Sequence, residues 1–434
     1  MQIEINKVKV TDSHSPFNGQ VVDITITDGV ITNIKAAKKL KAPASIVADG
    51  EEVWKSPVKE GNELLVSCGW VDVFADYREP GFEQKETIET GLATAVAGGF
   101  TDVLLAPNTK PAISSKSIIQ YIHGAAAGHT VNLHPIGSAT QNADGKDLAE
   151  MLDMQANGAV AFSDGWKPIQ NPNLMLKALE YAKAFDGTIV QFPVDETLSA
   201  GGLMNEGRLS TALGMPGVPL LAETLMIYRD IELLRYTGSR LHITGVSSAE
   251  SVAMIKKAKA EGLPLTCSVT PYHLALTEDK LRTYDSQYKV SPPLRTEADR
   301  QALIQGLADG TIDCIASHHR PHEWDAKTKE FEYAADGIAI QEIAFNVLSA
   351  GVGNAVAIEK VIEALTNVPR SIFNLDSCTI KKGSKATLTL FTIEGETTVK
   401  GATRKSKGMN NPFLNMALPG KVIGICNNNQ LQIN

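Results

Sequence analysis

The sequence lacks a long hydrophobic run, an excess of positive charge and any closely spaced cysteine pair. Without about 18 consecutive apolar residues, no membrane-spanning helix is expected, and the alternating residues at the start lack the apolar core of a signal peptide. A net charge of −8 argues against a surface for nucleic acid or anionic membranes. We therefore expect a cytoplasmic protein that binds neither nucleic acid nor membrane.

The cysteines are few, and their number is odd. The five are Cys68, Cys267, Cys314, Cys378 and Cys426. Because no two of them are separated by two residues, a zinc or redox motif of the CxxC type is excluded. We interpret them as reduced thiols of a cytosolic protein, most of them filling the core.

Short β runs occur towards both ends of the 434-residue chain. Residues 21–26 and 30–34 alternate polar and apolar side chains around an Asp28-Gly29 turn, the pattern of a hairpin. Residues 386–391 and 421–425 form similar runs. Since the termini of a domain often lie close together, we expect residues 1–68 and 378–434 to form one small β-sandwich domain.

Between these ends, short apolar runs alternate with amphipathic helical stretches, which is typical of parallel βα units. Eight runs predict strands at residues 69–76, 100–107, 132–138, 159–164, 187–194, 240–247, 264–271 and 313–319. Helices are predicted at residues 86–97, 174–184, 222–236, 249–260 and 297–307. Eight repeats favour an α/β fold of the closed (β/α)8 type over residues 69–377, with its chemistry at the carboxyl ends of the strands.

A long motif follows the first predicted barrel strand. Residues 72–81 read DVFADYREPG, where members of the dihydroorotase family carry D-x-H-x-H-x-R-x-P-G. Further co-linear matches lie at residues 85–91, 98–101, 107–111, 202–207, 288–295 and 309–313. The chain thus resembles this family of cyclic amidohydrolases over nearly its whole length. The resemblance implies a TIM barrel of the metal-dependent hydrolase type and a place in pyrimidine biosynthesis.

The positions that bind metal in the family have changed here. Phe74, Phe192 and Gly245 stand where the resemblance places metal histidines, and Asp76 stands at a fourth such position. Phenylalanine and glycine side chains offer no ligand atom. We therefore expect no binuclear metal centre and no cofactor.

Two further positions bear on metal and proton transfer. Asp164 keeps the aspartate that bridges the two metals in the family, whereas His318 replaces the aspartate that holds metal and exchanges protons. The resemblance makes His318 the candidate catalytic residue. Asp76, Asp164 and His318 are the remaining candidates for one zinc ion, and a structural pairing of Asp164 with His318 or a turn is the alternative.

Substrate-binding positions are better preserved. The resemblance assigns Arg78 to the substrate carboxylate and Asn108 and His322 to the substrate, whereas Ser291 replaces an asparagine that contacts the substrate ring. An internal ion pair of Arg78 with Asp76 or Glu79 is the alternative role for this arginine. Turn chemistry alone would explain Asn108.

Three functions remain open at this stage. The first is a catalytically impaired or inactive dihydroorotase-like protein, a pseudoenzyme that serves as a structural partner of aspartate carbamoyltransferase. The second is an active hydrolase, opening dihydroorotate to N-carbamoyl-aspartate with one zinc ion. The third is a regulatory barrel that binds a small anionic pyrimidine-like ligand. The resemblance implies a homodimer or a larger assembly.

Overall fold

A computed structural model describes residues 1–37, 43–56 and 63–434. The strands are β1 (Gln2–Val10), β2 (Val21–Thr27), β3 (Val30–Ala36), β4 (Ser45–Ala48), β5 (Glu51–Lys55), β6 (Leu65–Cys68), β7 (Trp70–Ala75), β8 (Phe100–Leu105), β9 (Asn132–Gly137), β10 (Ala161–Phe162), β11 (Thr188–Gln191), β12 (Met204–Asn205), β13 (Gly217–Val218), β14 (Arg240–Thr244), β15 (Leu265–Val269), β16 (Cys314–Ile315), β17 (Leu388–Thr397), β18 (Leu418–Asn427) and β19 (Gln430–Ile433).

Helices follow most strands of the central region. They are α1 (Ile88–Gly98), α2 (Lys116–Ala125), α3 (Met151–Ala156), α4 (Pro172–Lys183), α5 (Arg208–Leu213), α6 (Leu221–Thr237), α7 (Ala249–Ala260), α8 (Pro271–Ala275), α9 (Glu297–Asp309), α10 (Ala344–Val352), α11 (Ile358–Leu365) and α12 (Asn367–Ile372). No helix of the described residues is both long and apolar enough to cross a membrane.

Eight parallel strands form the central sheet in the order β7-β8-β9-β10-β11-β14-β15-β16. The sheet closes because the His318 backbone N–H donates to the Phe74 carbonyl at 3.0 Å and the Asp76 N–H donates to the His319 carbonyl at 2.9 Å. Each of the eight predicted strand regions contains one of these strands. The predicted (β/α)8 barrel is confirmed.

Local sequence signals explain where the barrel helices begin. Helix α7 starts after Ser248, whose hydroxyl accepts a hydrogen bond from the Ser251 N–H at 3.2 Å. Helix α9 starts after Thr296, which forms a reciprocal capping pair with Asp299. Such caps satisfy N–H groups that have no partner within the helix. They place the start of each helix just after the loop at the barrel mouth.

Strands from both ends of the chain form a second sheet. Its order is β19-β18-β17-β6-β1-β2-β3, with β4 pairing with β1 and with β5. Strand β17 pairs antiparallel with β6, which joins the two ends of the chain directly. The predicted composite β domain is therefore present, and its exact limits at residues 68 and 378 stay a prediction.

The barrel and the terminal sheet share an aromatic junction at Trp70. Its ring lies 4.8 Å from the Phe345 ring and 5.2 Å from the Phe391 ring, measured between centroids. Gly99 ends α1 with φ of 85°, and a Cβ atom there would lie 2.8 Å from the Trp70 ring. The close approach of this turn to Trp70 thus requires glycine.

The prediction of five reduced thiols is wrong in this structure. Cys68, at the end of β6, forms a disulfide with Cys378, which precedes β17, and their Cα atoms are 5.8 Å apart. The two residues are 310 positions apart in sequence, so only the fold brings them together. The other three cysteines are free and buried, as predicted for core filler.

We expect only three of the five thiols to be labelled when cells are lysed in denaturant with excess alkylating reagent and no reductant, and the labels are counted by mass spectrometry. All five should react after reduction. Cys68→Ser should raise the unreduced count to four by releasing Cys378, whereas Cys426→Ser should lower it to two. Five reactive thiols in the unreduced wild type would show that the bond does not form in the cell.

Candidate functional site

Four ring side chains fill the centre of the barrel mouth, and we call them the aromatic plug: Phe74, Trp166, Phe192 and His318. The Phe74 ring lies 5.0 Å from Trp166 and 5.1 Å from His318, between centroids. Trp166 in turn lies 5.6 Å from Phe192 and 5.2 Å from His318. Phe74 and His318 have at most 1% of their surface exposed. The plug occupies the end of the barrel where chemistry occurs in this fold.

His318 depends on the glycine that faces it. A Cβ atom at Gly245 would lie 2.4 Å from the His318 Cε1 atom, which is closer than two carbon atoms can approach. The His318 ring therefore occupies the space into which a side chain at position 245 would project. The two sequence changes noted above, histidine at 318 and glycine at 245, are physically coupled.

The plug is anchored below by a chain of polar groups. The His318 Nε2 atom lies 2.8 Å from the Thr244 hydroxyl, which lies 3.0 Å from the Ser268 hydroxyl. The Ser268 hydroxyl lies 3.1 Å from Nε2 of His242. Burial holds the pKa of His318 well below its usual range and lowers that of His242 to about 3. Both imidazoles are therefore neutral at physiological pH.

Both carboxylate oxygens of Asp76 have partners. Oδ2 accepts the Trp166 indole N–H at 2.9 Å and lies 2.9 Å from Nη1 of Arg78. Oδ1 accepts the Arg78 backbone N–H at 3.0 Å. Of the two alternative partners for Arg78, the structure pairs it with Asp76 and not with Glu79. The second terminal nitrogen of this arginine, Nη2, is buried without a hydrogen-bond partner.

The side chains of Asp164 and Asn108 hydrogen-bond to nearby groups of the protein and do not face open space. The Asp164 carboxylate accepts the backbone N–H of Thr140 at 2.9 Å and its hydroxyl at 2.5 Å, and burial raises the pKa of Asp164. The Asn108 side chain donates to the Asp164 backbone carbonyl at 3.0 Å and accepts from the Trp166 backbone N–H at 2.9 Å. Asp164 therefore does not pair with His318, and Asn108 fixes the turn that carries Trp166.

The residues present do not fit a two-metal centre. Asp76 and Asp164 have their oxygens engaged, His318 contacts Thr244, and the rest of the aromatic plug offers no ligand atom. Within residues 1–37, 43–56 and 63–434, no three His, Cys, Asp or Glu side chains form a group that could hold a metal ion. A zinc-type site needs about three or four such ligands around one point.

The loop after β16 adds a guanidinium and a neutral imidazole to the mouth. The Arg320 guanidinium lies over the Trp166 ring, 4.7 Å from its centroid. His322 contacts the Asp336 carbonyl through Nε2 at 2.9 Å, and burial together with Arg78 lowers its pKa to about 2. Sequence reasoning missed Arg320 and Trp166. Arg320 could have been found, because it follows the candidate residue His318 by two positions at the end of a predicted strand.

A cavity of about 130 Å³ lies beside this loop, and Ser291, Asp336 and Arg295 are among its lining residues. Arg295 is held by Glu223 at 3.3 Å and donates to the Asn205 side chain at 2.7 Å. The described structure therefore leaves a small space beside Ser291, and none of the four rings of the plug lines it.

Comparison with known proteins decides the family. A family profile described as "Dihydro-orotase-like" matches residues 63–251. A dihydroorotase of Syntrophus aciditrophicus is 38% identical over 425 residues, covering 98% of this chain and 97% of that protein. A dihydroorotase of Pelotomaculum thermopropionicum is 39% identical over 401 residues, covering 92% and 91%. The chain belongs to the dihydroorotase family.

Solved structures agree with this dihydroorotase-family fold. An L-hydantoinase (dihydropyrimidinase) from Arthrobacter aurescens matches with a TM-score of 0.82 at 20% identity, covering 99% of this chain and 97% of that one. A D-hydantoinase (dihydropyrimidinase) from Thermus sp. matches with a TM-score of 0.78 at 20% identity, covering 99% and 95%. At this identity the likeness concerns the fold alone.

We expect Gly245→Ala to destabilise the protein more than Gly262→Ala. Both glycines have similar positive φ values, 77° and 80°, but a Cβ atom at Gly262 meets nothing within 4 Å. Both variants therefore lose about 1–2 kcal/mol of stability, because alanine is strained in this left-handed backbone conformation. In Gly245→Ala the collision with His318 costs roughly 1–3 kcal/mol more. Urea unfolding of the two variants measures the difference.

The same substitution in a His318→Ala background tests the cause. There Gly245→Ala should cost no more than Gly262→Ala, because the colliding ring is gone. An unchanged cost of Gly245→Ala with and without His318 would disprove the coupling.

Proposed function

We propose that this chain is a dihydroorotase-family protein of pyrimidine biosynthesis that does not hydrolyse dihydroorotate. The observation that carries the proposal is the aromatic plug, whose side chains fill the centre of the mouth. Phe74 and Phe192 replace ligand positions with apolar rings, and the contacts among the four rings leave no space for a hydrated cation between them. Buried aromatic packing of this kind stabilises the barrel.

The chemistry of ring opening supports the same proposal. Hydrolysis of a cyclic amide at neutral pH needs a hydroxide ion and a polarised carbonyl, which bound metal ions supply in a metal-dependent hydrolase. The His318 imidazole contacts three aromatic rings and Thr244, so it does not face open space. Asp76 and Asp164 are committed to Arg78, Trp166 and Thr140. Among the described residues, these two carboxylates are therefore not available to activate water.

We expect purified protein from a host without its own dihydroorotase to form no N-carbamoyl-aspartate from dihydroorotate above the uncatalysed rate. We also expect no stoichiometric zinc after equilibration with the metal, measured by atomic emission, because the ligands do not converge. Asp164→Ala is the matched variant for the alternative with one zinc ion. Turnover of roughly 1 per second or more, lost together with one zinc in Asp164→Ala, would establish that alternative instead.

A role as a structural partner of aspartate carbamoyltransferase in the cytoplasm completes the proposal. An exposed apolar stripe on α6 supports it. Leu221, Leu225 and Tyr228 have 55%, 47% and 56% of their surface exposed and are spaced four and three residues apart, so they share one helix face. Contiguous exposed apolar surface is typical of protein interfaces.

We expect the protein to co-migrate with aspartate carbamoyltransferase of the same organism in size-exclusion chromatography, and Leu225→Asp to abolish the complex. A buried charge at the centre of an apolar contact loses its hydration without gaining a partner. Leu152→Asp is the matched control, because Leu152 is a leucine of α3 with 51% exposure. Separate migration of the wild type, or equal effects of the two substitutions, would contradict the proposed partnership.

A further inference from the structure

A large cavity lies at the end of the barrel opposite the mouth, and its volume is about 970 Å³. The barrel contributes the beginning of β9 and the end of α2, and residues 374–387 and the turn between β18 and β19 contribute the rest. The carboxyl ends of the barrel strands point to the mouth, so this cavity is separate from the aromatic plug. Pockets that bind small molecules have volumes of about 300–1,000 Å³, and the cavity is therefore large enough for a metabolite.

A buried ion pair forms part of the cavity wall. Asp102 and Arg370 are 2% and 4% exposed and pair with each other. The Asp102 carboxylate also accepts the Asn132 side-chain N–H at 3.0 Å and lies 2.9 Å from Nε2 of His134. Burial raises the pKa of Asp102, but the His134 hydrogen bond and the Arg370 charge outweigh burial and hold this pKa below its usual range. Asp102 therefore stays a carboxylate and fixes the position of the His134 ring.

His134 has one ring nitrogen available to a ligand. Its Nε2 atom is held by Asp102, whereas Nδ1 has no hydrogen-bond partner among the described residues. The side chain is 22% exposed and lines the cavity. When an imidazole is protonated, both of its nitrogens are donors. His134 is thus placed to donate one hydrogen bond to Asp102 and another to an anion in the cavity.

Two lysines add positive charge to the lining. Lys385 lies 3.6 Å from Asp376, and because 84% and 92% of these side chains are exposed, water weakens their attraction. The Lys381 amine forms no ion pair or hydrogen bond with another described residue. The two carboxylates of the lining, Asp102 and Asp376, each have a cation nearby. Lys381 therefore leaves an excess of positive charge in this cavity, although the whole protein carries a net charge of −8.

Neutral polar groups complete the lining. Burial lowers the pKa values of His123 and His129, so both imidazoles are mostly neutral at physiological pH. The hydroxyls of Ser377 and Thr379 belong to the segment that also carries Lys381. Imidazole and hydroxyl groups of this kind both donate and accept hydrogen bonds. They suit the hydroxyl groups of a sugar and add no charge.

Hydrogen bonds hold the walls in place without a ligand. Three side-chain amides of the turn between β18 and β19 donate at 2.8–3.0 Å to the backbone carbonyls of residues 128–130, namely Asn427, Asn428 and Gln430. Arg370 donates through Nη1 to the Asp376 backbone carbonyl at 3.2 Å, which holds the segment after α12. Because the walls are already ordered, a ligand loses less free energy to ordering them when it binds.

We propose that this cavity binds a phosphomonoester of a sugar or a nucleoside, with the phosphoryl group on Lys381 and His134 and the hydroxyl groups on the neutral lining. A phosphoryl group carries a charge of about −1.5 to −2 at pH 7 and has three acceptor oxygens. Those oxygens point in different directions, so they suit donors that come from different segments of the chain. The inference goes beyond the proposed function, because the cavity lies away from the mouth and its occupancy does not depend on hydrolysis there.

Isothermal titration of the full-length protein with ribose 5-phosphate and with adenosine 5′-monophosphate tests the site, and ribose and adenosine are the uncharged counterparts. We expect at least one phosphomonoester to bind roughly tenfold or more tightly than its counterpart, because hydrogen bonds to a charged group are the stronger ones. Whether one or both bind distinguishes a nucleotide from a sugar phosphate. Lys381→Ala and His134→Gln should each weaken the binding roughly tenfold. Lys382→Ala is the matched control, since Lys382 is the next residue, is exposed and does not line the cavity.

Three results would overturn the site. They are binding of neither phosphomonoester, equal affinity for the charged and uncharged compounds, and an affinity that Lys381→Ala leaves unchanged or that Lys382→Ala lowers equally. Inorganic phosphate that binds as tightly as the esters would show a general attraction of anions and would also overturn the site. Circular dichroism of the variants checks folding, and because Lys381 is exposed, its replacement decides the question even where His134→Gln does not fold.

Discussion

The packing of the His318 ring into the space above Gly245 is the contact on which the barrel mouth depends. Because glycine leaves that space open, the imidazole turns inward, contacts Phe74, Trp166 and Phe192, and bonds Thr244. Each fully buried aromatic ring contributes about 1.5–3 kcal/mol from the area removed from water. The packing of these rings thus stabilises the barrel mouth, whereas coordination bonds would stabilise the mouth of a barrel with a metal centre.

The carboxylates around the plug form hydrogen bonds and ion pairs with neighbouring residues of the protein. Asp76 holds Trp166 and Arg78 in place, and Asp164 caps the turn at Thr140. Burying a carboxylate is costly unless it is paired or hydrogen-bonded, so these residues persist by taking structural partners. The fold alone does not decide what these groups do, because function depends on the groups at the strand ends.

Three kinds of contact join the two ends of the chain to each other and to the barrel. Strand β17 pairs with β6, Cys68 bonds to Cys378, and Trp70 packs between Phe345 and Phe391. All three lie where the terminal sheet meets the first barrel strand. Since that strand also carries Phe74, Asp76 and Arg78 at its other end, the terminal domain supports the position of the mouth.

The sequence by itself determined the barrel, its eight strands and the joint β domain, because periodicity and co-linear motifs are local properties of the chain. Only the tertiary structure decided which residues meet. In the folded protein, two cysteines 310 positions apart form a disulfide, and the His318 ring packs against Gly245. The Asn108 side chain hydrogen-bonds within a turn, and the Arg320 guanidinium stacks on Trp166. These contacts join residues from different strands, and sequence spacing carries no information on the distance between them.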